Sequence, residues 1–331
     1  MSVDAKFRAL ADPTRLRIVR LLGAMELAVG ELAQVLGQSQ PRVSRHVGIL
    51  CDAGLAERRK EGSWVFLRAP VASTTSSPLI DAVLRLLAIA EREDPDFSLQ
   101  CEDDRRKLAA IRSTREEAAE GYFARHAEDW DELRRLHSPD QTVETQIIEA
   151  LGDEPAGEVL DIGTGTGRMA ELLAPKSTRI VALDKSLEML RIARAKLQHF
   201  PTDQVELVQG DFSDLPFAAQ SFDTVLLHQV LHFAQAPATA LMEAGRVTRP
   251  GGRVVIVDFA DHNREDLRER YAHARLGFSD DQMARMLSDA GFTSKPTIAL
   301  EEGELVIKIW FGERGSARPT SYSPDPKEMS A

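Results

Sequence analysis

Over the first seventy residues, apolar positions follow helical spacing. Lys6 to Ala11 predicts a short helix that stops at Asp12-Pro13, where Asp12 can cap the next helix and Pro13 suits its first position. Leu16, Ile18, Val19, Leu21 and Leu22 give that helix an apolar face, and Val29 to Leu36 predicts a third, closed by Gly37. Ser39 opens a fourth, in which Val43, Val47 and Leu50 form a stripe at i, i+4, i+7. Within Leu55–Arg68, two β-like runs flank a basic turn at Arg59 to Ser63. Beyond a small polar stretch from Pro70 to Ser77, Leu79 to Glu91 predicts an amphipathic helix broken at Asp94-Pro95. A long charged helical pattern then runs from Leu99 to His137. Near residue 158 the rhythm changes: Glu158-Val159-Leu160 is strand-like, a helical pattern follows, and Arg179 to Leu183 is a second strand ending in Asp184.

The join between that first strand and its helix reads Asp161-Ile162-Gly163-Thr164-Gly165-Thr166-Gly167. Alternate glycines let a backbone approach a ligand closely, because no Cβ intervenes. The helix start behind them favours an anionic group. Asp184, at the tip of the second strand, can accept bonds from ribose hydroxyls. The dinucleotide pattern G-x-G-x-x-G requires a third glycine where Arg168 stands. The spacing G-x-G-x-G, with an acid two residues before, instead resembles the first motif of class I S-adenosylmethionine (SAM) methyltransferases. Further stretches match that family in order: Val205 to Phe212, a third strand ending in Gly210-Asp211; Leu215-Pro216-Phe217 with Ser221 to His228, the fourth strand; Pro250 to Asp258, the fifth; and Gly291-Phe292 with β-like runs around 296–300 and 304–311, the last strand pair.

The resemblance implies a Rossmann-like, seven-stranded, mostly parallel sheet and SAM as cofactor. It places Asp161, Gly163, Thr164, Gly165 and Gly167 under the methionine part of SAM. Asp184 and Lys185 fall at the ribose, Asp211 at the adenine amino group, Phe212 on the ring, and His228 at the end of the fourth strand. His228, His232 and Tyr271 are candidate bases. The sequence His228 to Phe233 is not the Asn/Asp-Pro-Pro-Tyr motif of amino-methylating DNA enzymes, so a small-molecule acceptor is expected rather than DNA.

The order helix, helix, helix-turn-helix, wing resembles the ArsR/SmtB family of winged-helix repressors, carried by Ala11 to Ile18 and Ser44-Arg45-His46-Val47. That resemblance implies binding of double-stranded DNA. Gln40, Arg42, Ser44, Arg45 and His46 would face the major groove, and Arg58, Arg59 and Lys60 the backbone or minor groove. It also implies a homodimer, paired through helices in 1–20 and 78–120. Metal-sensing members carry Cys-x-Cys in the helix before the turn; here Ala28 and Gly30 stand in those places, so no metal is expected there.

The net charge of −11 is uneven: residues 1–70 hold eleven Lys/Arg against seven Asp/Glu, so the excess acid lies beyond them. A basic end on an acidic protein fits a polyanionic partner for that end alone. Cys51 and Cys101 cannot make a disulfide framework, and the lack of any thiol beyond Cys101 argues against arsenite methylation. No apolar run approaches the ~20 residues of a membrane span, and Met1 to Lys6 has no signal-peptide core, which makes the cytoplasm the expected location. The expected organisation is a winged helix in 1–70, a helical connector serving as dimer element or lid in 71–139, a methyltransferase domain in 140–313 and a disordered tail in 314–331. Within the connector, Tyr122, Phe123, His126 and Trp130 are candidates for a lid over SAM. Two roles remain open: catalysis on a small molecule, or non-catalytic sensing of SAM or S-adenosylhomocysteine (SAH) by a repressor.

Overall fold

The computed structural model describes residues 3–24, 27–61, 64–70, 78–135, 140–152 and 155–315. The linker 71–77, the wing tip at Gly62 and Ser63, and all but the first residues of the expected tail lie outside them.

The N-terminal module contains α1 (Val3–Leu10), α2 (Pro13–Ala24), a two-residue strand β1 (Leu27–Ala28), α3 (Val29–Leu36), α4 (Gln40–Asp52), and the hairpin β2 (Glu57–Glu61) and β3 (Trp64–Arg68). Asp12 caps α2 as its sequence position suggests: its Oδ1 accepts from the Arg15 amide at 3.0 Å. Gly37, at φ +64°, closes α3 in the left-handed conformation that glycine adopts without a Cβ clash. Val43, Val47 and Leu50 bury the stripe of α4. The small sheet has the order β1-β3-β2, so the wing is tied back to the start of α3.

This module's core runs past residue 70. Helix α5 (Pro78–Glu93) adds Val83 and Leu87, and α6 (Pro95–His126) adds Leu108 and Ile111. Asp94-Pro95, a break in the sequence pattern, also starts α6: Asp94 Oδ1 accepts from the amides of Asp96 and Phe97, and Pro95 has no N–H to leave unpaired. Arg17 on α2 clamps α6 through Asp104, with Nε to Oδ2 at 2.9 Å and a second bond from Nη2 to Oδ1. Asp104 is only 1% exposed, and this hydrogen bond raises the Arg17 pKa further.

The C-terminal module follows α7 (Trp130–Arg135) and α8 (Asp140–Leu151). Its strands are β4 (Gly157–Ile162), β5 (Ser177–Asp184), β6 (Val205–Gln209), β7 (Phe222–His228), β8 (Thr248–Phe259), β9 (Phe292–Ser294), β10 (Ile298–Leu300) and β11 (Ile307–Arg314). Its helices are α9 (Arg168–Leu173), α10 (Leu187–Leu197), α11 (Pro237–Val247), α12 (Glu265–Tyr271) and α13 (Asp280–Asp289). The order β10-β11-β8-β7-β4-β5-β6 is parallel from β8 to β6, with β11 antiparallel to β8. An eighth strand appears where seven are expected, because the outer edge is broken in two. β10 pairs with Ile307–Ile309 and β9 with Gly312–Arg314 of the same β11. Pro296 lies between them, where a missing N–H interrupts a ladder. Helices cover both faces, giving two apolar layers, one with Ile147, Val159 and Ile309 and the other with Leu160, Leu241 and Phe278. The chain winds from β4 outward to β6, then crosses to β7 and β8, so the topological switch lies between β4 and β7. In such sheets ligands sit beyond the strand ends at this crevice.

Candidate functional site

A cavity of about 650 Å³ opens at that switch, within the roughly 300–1,000 Å³ usual for small-molecule sites. Its lining gathers Asp161, Gly163, Thr164, Gly165, Asp184, Lys185, Asp211, Phe212 and His228, residues spread over 68 positions in the chain. Gly167 is not among them.

The glycines do different jobs. A Cβ on Gly163 would lie 2.4 Å from Val230 Cγ2, so the first glycine lets the loop pass beneath the end of β7. Gly167, at φ +83°, caps α9 and packs on Leu197 and Ala193, which makes its role close helix packing rather than ligand contact. The loop amides are already engaged. Gly163 and Thr164 N–H both donate to Leu183 O, at 2.8 and 2.9 Å, and Gly167 N–H donates to Thr164 O at 2.9 Å. Gly165 N–H donates to Asp184 Oδ2 at 2.8 Å. Four amides of the anion cradle expected at this helix start are therefore spent on holding the loop's own shape, and that of cavity-lining Thr166 is not among them.

Asp184 accepts from Gly165 on one oxygen and from the Ser186 amide on the other, at 2.9 Å. Burial raises its pKa, and these backbone donors only partly offset that. Each oxygen keeps lone pairs for ribose hydroxyls. At Asp211 burial also pushes upward, but bonds from Ser213 and the charge of Lys185, 3.4 Å away, outweigh it and lower the pKa. Thr164 Oγ1 donates to Asp161 Oδ2 at 2.6 Å, deep beneath the loop.

The candidate bases separate. His228 lines the cavity; His232 and Tyr271 do not. His232 is 2% exposed, with its Nδ1 2.8 Å from Asp258 Oδ1 and its backbone N–H donating to Oδ2 of the same carboxylate at 3.1 Å. It fastens the turn after β7 to the end of β8. Tyr271 packs at the margin of the core that contains Phe259 and Leu267. A base must reach the proton it removes, which leaves His228 as the candidate.

The lid candidates divide too. Phe123 and Trp130 line the cavity with Phe233, their ring centroids 5.4 Å (Phe123–Trp130) and 4.8 Å (Phe123–Phe233) apart in edge-on contacts. Tyr122 and His126 instead stack on each other at 4.2 Å behind them, and burial raises the Tyr122 pKa to about 12. Trp130 lies over the glycine loop: its Nε1 is 3.4 Å from the position of a Cβ on Gly165. Ala24, the last residue of α2, also lines the cavity.

Sequence reasoning missed Ala24, Phe233 and Gln229 in this lining. Gln229 sits where β7 leaves the sheet, at φ +51°, a conformation that costs a non-glycine residue roughly 1–2 kcal/mol. The residue is 7% exposed, and its side-chain Nε2 meets no acceptor among the described residues. Such a buried amide costs about 1–3 kcal/mol. No spacing rule signals either feature.

In the N-terminal module, Gln40, Arg42, Ser44, Arg45 and Arg58 are exposed together on α4 and the wing. His46 departs from that set: its side chain is 13% exposed, and its Nδ1, 3.7 Å from Asp12 Oδ1, is buried without a hydrogen-bond partner among the described residues. Arg59 and Lys60 fall on β2, and their side chains lie outside the described portion. Among the described residues, no group of His, Cys, Asp and Glu could hold a metal, and no helix is long and apolar enough to cross a membrane.

Residues 160–256 match the family model described as a methyltransferase domain, and residues 10–59 match a helix-turn-helix domain. The chain is 37% identical over 114 residues to a demethylmenaquinone methyltransferase of Renibacterium salmoninarum, covering 34% of this chain and 46% of that protein. It is 34% identical over 168 residues to a 37.1 kDa protein in transposon TN4556 of Streptomyces fradiae, covering 46% and 48% respectively. In both cases the match spans about half the length of the curated relative. A Haloferax volcanii methyltransferase in complex with the Trm112 activator shares the fold, with a TM-score of 0.52 at 21% identity, over 60% of this chain and 99% of that one. The protein is thus an ArsR-type helix-turn-helix domain fused to a class I methyltransferase domain whose cofactor is SAM.

Proposed function

We propose that the protein is a DNA-binding transcriptional regulator whose methyltransferase domain transfers the SAM methyl group to a small molecule. The observation that carries this reading is helix α6. Its middle supplies Leu108 and Ile111 to the core of the DNA-binding module, and its far end supplies Phe123 to the cofactor cavity. Ala24 of α2 reaches the same cavity. A ligand that favours one setting of Phe123 and Trp130 therefore acts on the elements that support the recognition helix, and coupling by differential affinity follows.

The acceptor end of the cavity favours a flat, apolar compound. Phe123, Trp130 and Phe233 wall it, and aromatic faces and edges suit a planar ring. A quinol ring, the class suggested by the name of the methyltransferase relatives, has that shape. His228 would take the proton released as the new bond forms. Gln40, Arg42, Ser44 and Arg45 would read the major groove, with wing residues Arg58, Arg59 and Lys60 on the backbone. Phe7 on α1, Leu86 and Ile89 on α5 and Leu99 on α6 are large exposed apolar side chains, as a homodimer paired through these helices requires.

A second reading, a non-catalytic SAM- or SAH-sensing repressor, is favoured by the same shared helix, which serves a sensor without turnover. One experiment addresses both. Anisotropy measures affinity for a fragment of the protein's own promoter with and without SAM and SAH, and methyl-labelled SAM is tested for transfer to a naphthoquinol. Transfer with a ligand-dependent DNA affinity supports the proposal. A ligand-dependent affinity without transfer leaves the sensor. DNA affinity indifferent to both ligands defeats the coupling in either form.

A further inference from the structure

The course of the cofactor follows from the residues that receive it. Asp211 stands beyond β6, Asp184 at the tip of β5 and Gly163 to Gly165 at the tip of β4. Adenine, ribose and sulfur lie along that row, so the aminobutyrate tail ends over β4 and its next neighbour, β7. The tail carries a carboxylate that needs donors. The amides of Gly163, Thr164, Gly165 and Gly167 each already donate within the protein, so the loop offers the two carboxylate oxygens only the Thr166 amide, and a second donor must come from another wall.

Gln229 is the next residue past the end of β7, one step from Val230, which packs on Gly163. It lines the cavity, its backbone N–H is held by Val257 O at 2.7 Å, and its Nε2 is buried without an acceptor. Three features thus coincide in one wall residue: a left-handed backbone, a nearly complete burial and an unused amide donor. Structures keep such costs where a ligand repays them. We infer that the Gln229 carboxamide N–H binds the carboxylate of the cofactor's aminobutyrate tail. Because Nε2 is buried, binding requires the carboxamide to turn about its last bond toward the cavity. Nε2 gives up no hydrogen bond in turning, since it makes none in the ligand-free protein. The resulting bond to an ionised group is of the stronger class. This inference rests on SAM as the cofactor.

The test separates the tail from the rest of the nucleoside. SAH and 5′-methylthioadenosine share adenine, ribose and sulfur, but only SAH has the aminobutyrate tail. Both are titrated calorimetrically into the full chain as wild type, Gln229→Gly and Gln229→Glu. Glycine suits a positive φ, so the melting temperature of Gln229→Gly should not fall, and a loss of binding would not reflect unfolding. The expected result is about tenfold weaker SAH binding for Gln229→Gly, a larger loss for Gln229→Glu through like-charge repulsion, and unchanged affinity for 5′-methylthioadenosine. SAH affinity unchanged in both variants overturns the inference, as does an equal loss of both ligands. A wild-type chain that binds neither nucleoside overturns the cofactor assignment itself.

Discussion

Thr166 Oγ1 donates to Asp131 Oδ1 at 2.6 Å, and Lys196 Nζ holds the other oxygen of Asp131 at 2.8 Å. One carboxylate on α7 thereby ties that helix to the glycine loop and to α10. Trp130, its neighbour in sequence, is held over Gly165 as a result. Asp131→Ala should release that tie. The pair is partly exposed, so its worth is discounted to about 1 kcal/mol, and SAH affinity should weaken about fivefold. Calorimetry gives the affinity, and Trp130 fluorescence should report a looser lid. An unchanged SAH affinity would mean that aromatic packing alone holds α7 down.

Asp184 makes a pH-dependent prediction. Burial raises its folded pKa above the unfolded value, so the folded protein binds this proton more tightly than the unfolded chain. The penalty for keeping the carboxylate charged grows as pH rises from the unfolded pKa, about 4, through the raised folded value, and is constant above it. Asp184→Asn removes the titration. The variant's melting temperature relative to wild type should therefore climb with pH across that window in the absence of ligand. SAH binding should be lost at every pH, because the amide cannot accept from both ribose hydroxyls while holding Gly165 and Ser186. A flat melting difference between pH 4 and 8 would contradict the assigned shift.

The Arg17–Asp104 pair joins α2 to α6 in a nearly dry setting. Removing Asp104 alone strands a buried guanidinium, and Asp104→Ala should destabilise the N-terminal module by about 3–5 kcal/mol. The apolar double variant Arg17→Met with Asp104→Leu should recover most of that loss. Urea unfolding of the three chains checks both numbers. A double variant as unstable as the single one would show that packing at α2–α6, not the lone charge, was lost.

The exposed set on α4 predicts a salt signature. Arg45→Ala should weaken binding to promoter and random DNA alike if Arg45 meets phosphate, and lower the slope of log affinity against log salt by about one. A base-reading Arg45 would instead lose discrimination between the two DNAs at unchanged slope. Anisotropy titrations at several salt concentrations distinguish these. Identical affinity and slope would place DNA elsewhere.

Local rules made much of this protein readable. The G-x-G-x-G turn, Asp184 and Asp211 each sit at the end of an apolar run, where strand ends must fall, so this row of strand tips could be placed before any fold was known. The helix-turn-helix and its wing rest equally on short-range signals: the cap at Asp12, the stripe of Val43, Val47 and Leu50, and the two β-like runs of the wing, although β2 carries Arg59 to Glu61 where a turn is expected. What spacing cannot express is which finished elements meet. Gly167 matches the ligand motif yet serves helix packing, because Leu197 comes back beneath it. His232 matches a base yet is consumed by Asp258, twenty-six residues away. Gln229 looks ordinary until its backbone turns left-handed at the rim of the cavity. Phe123 joins the cavity only because a 32-residue helix runs from the core of the first module to the cavity of the second, and Ala24 joins it from the end of α2. The sequence alone determined the two modules and the strand-end residues that line the cavity, since these depend on contacts within a few residues. Tertiary structure decided which of the marked side chains line the cavity, and that the helix-turn-helix half helps to wall it, since both depend on contacts between residues far apart in the chain.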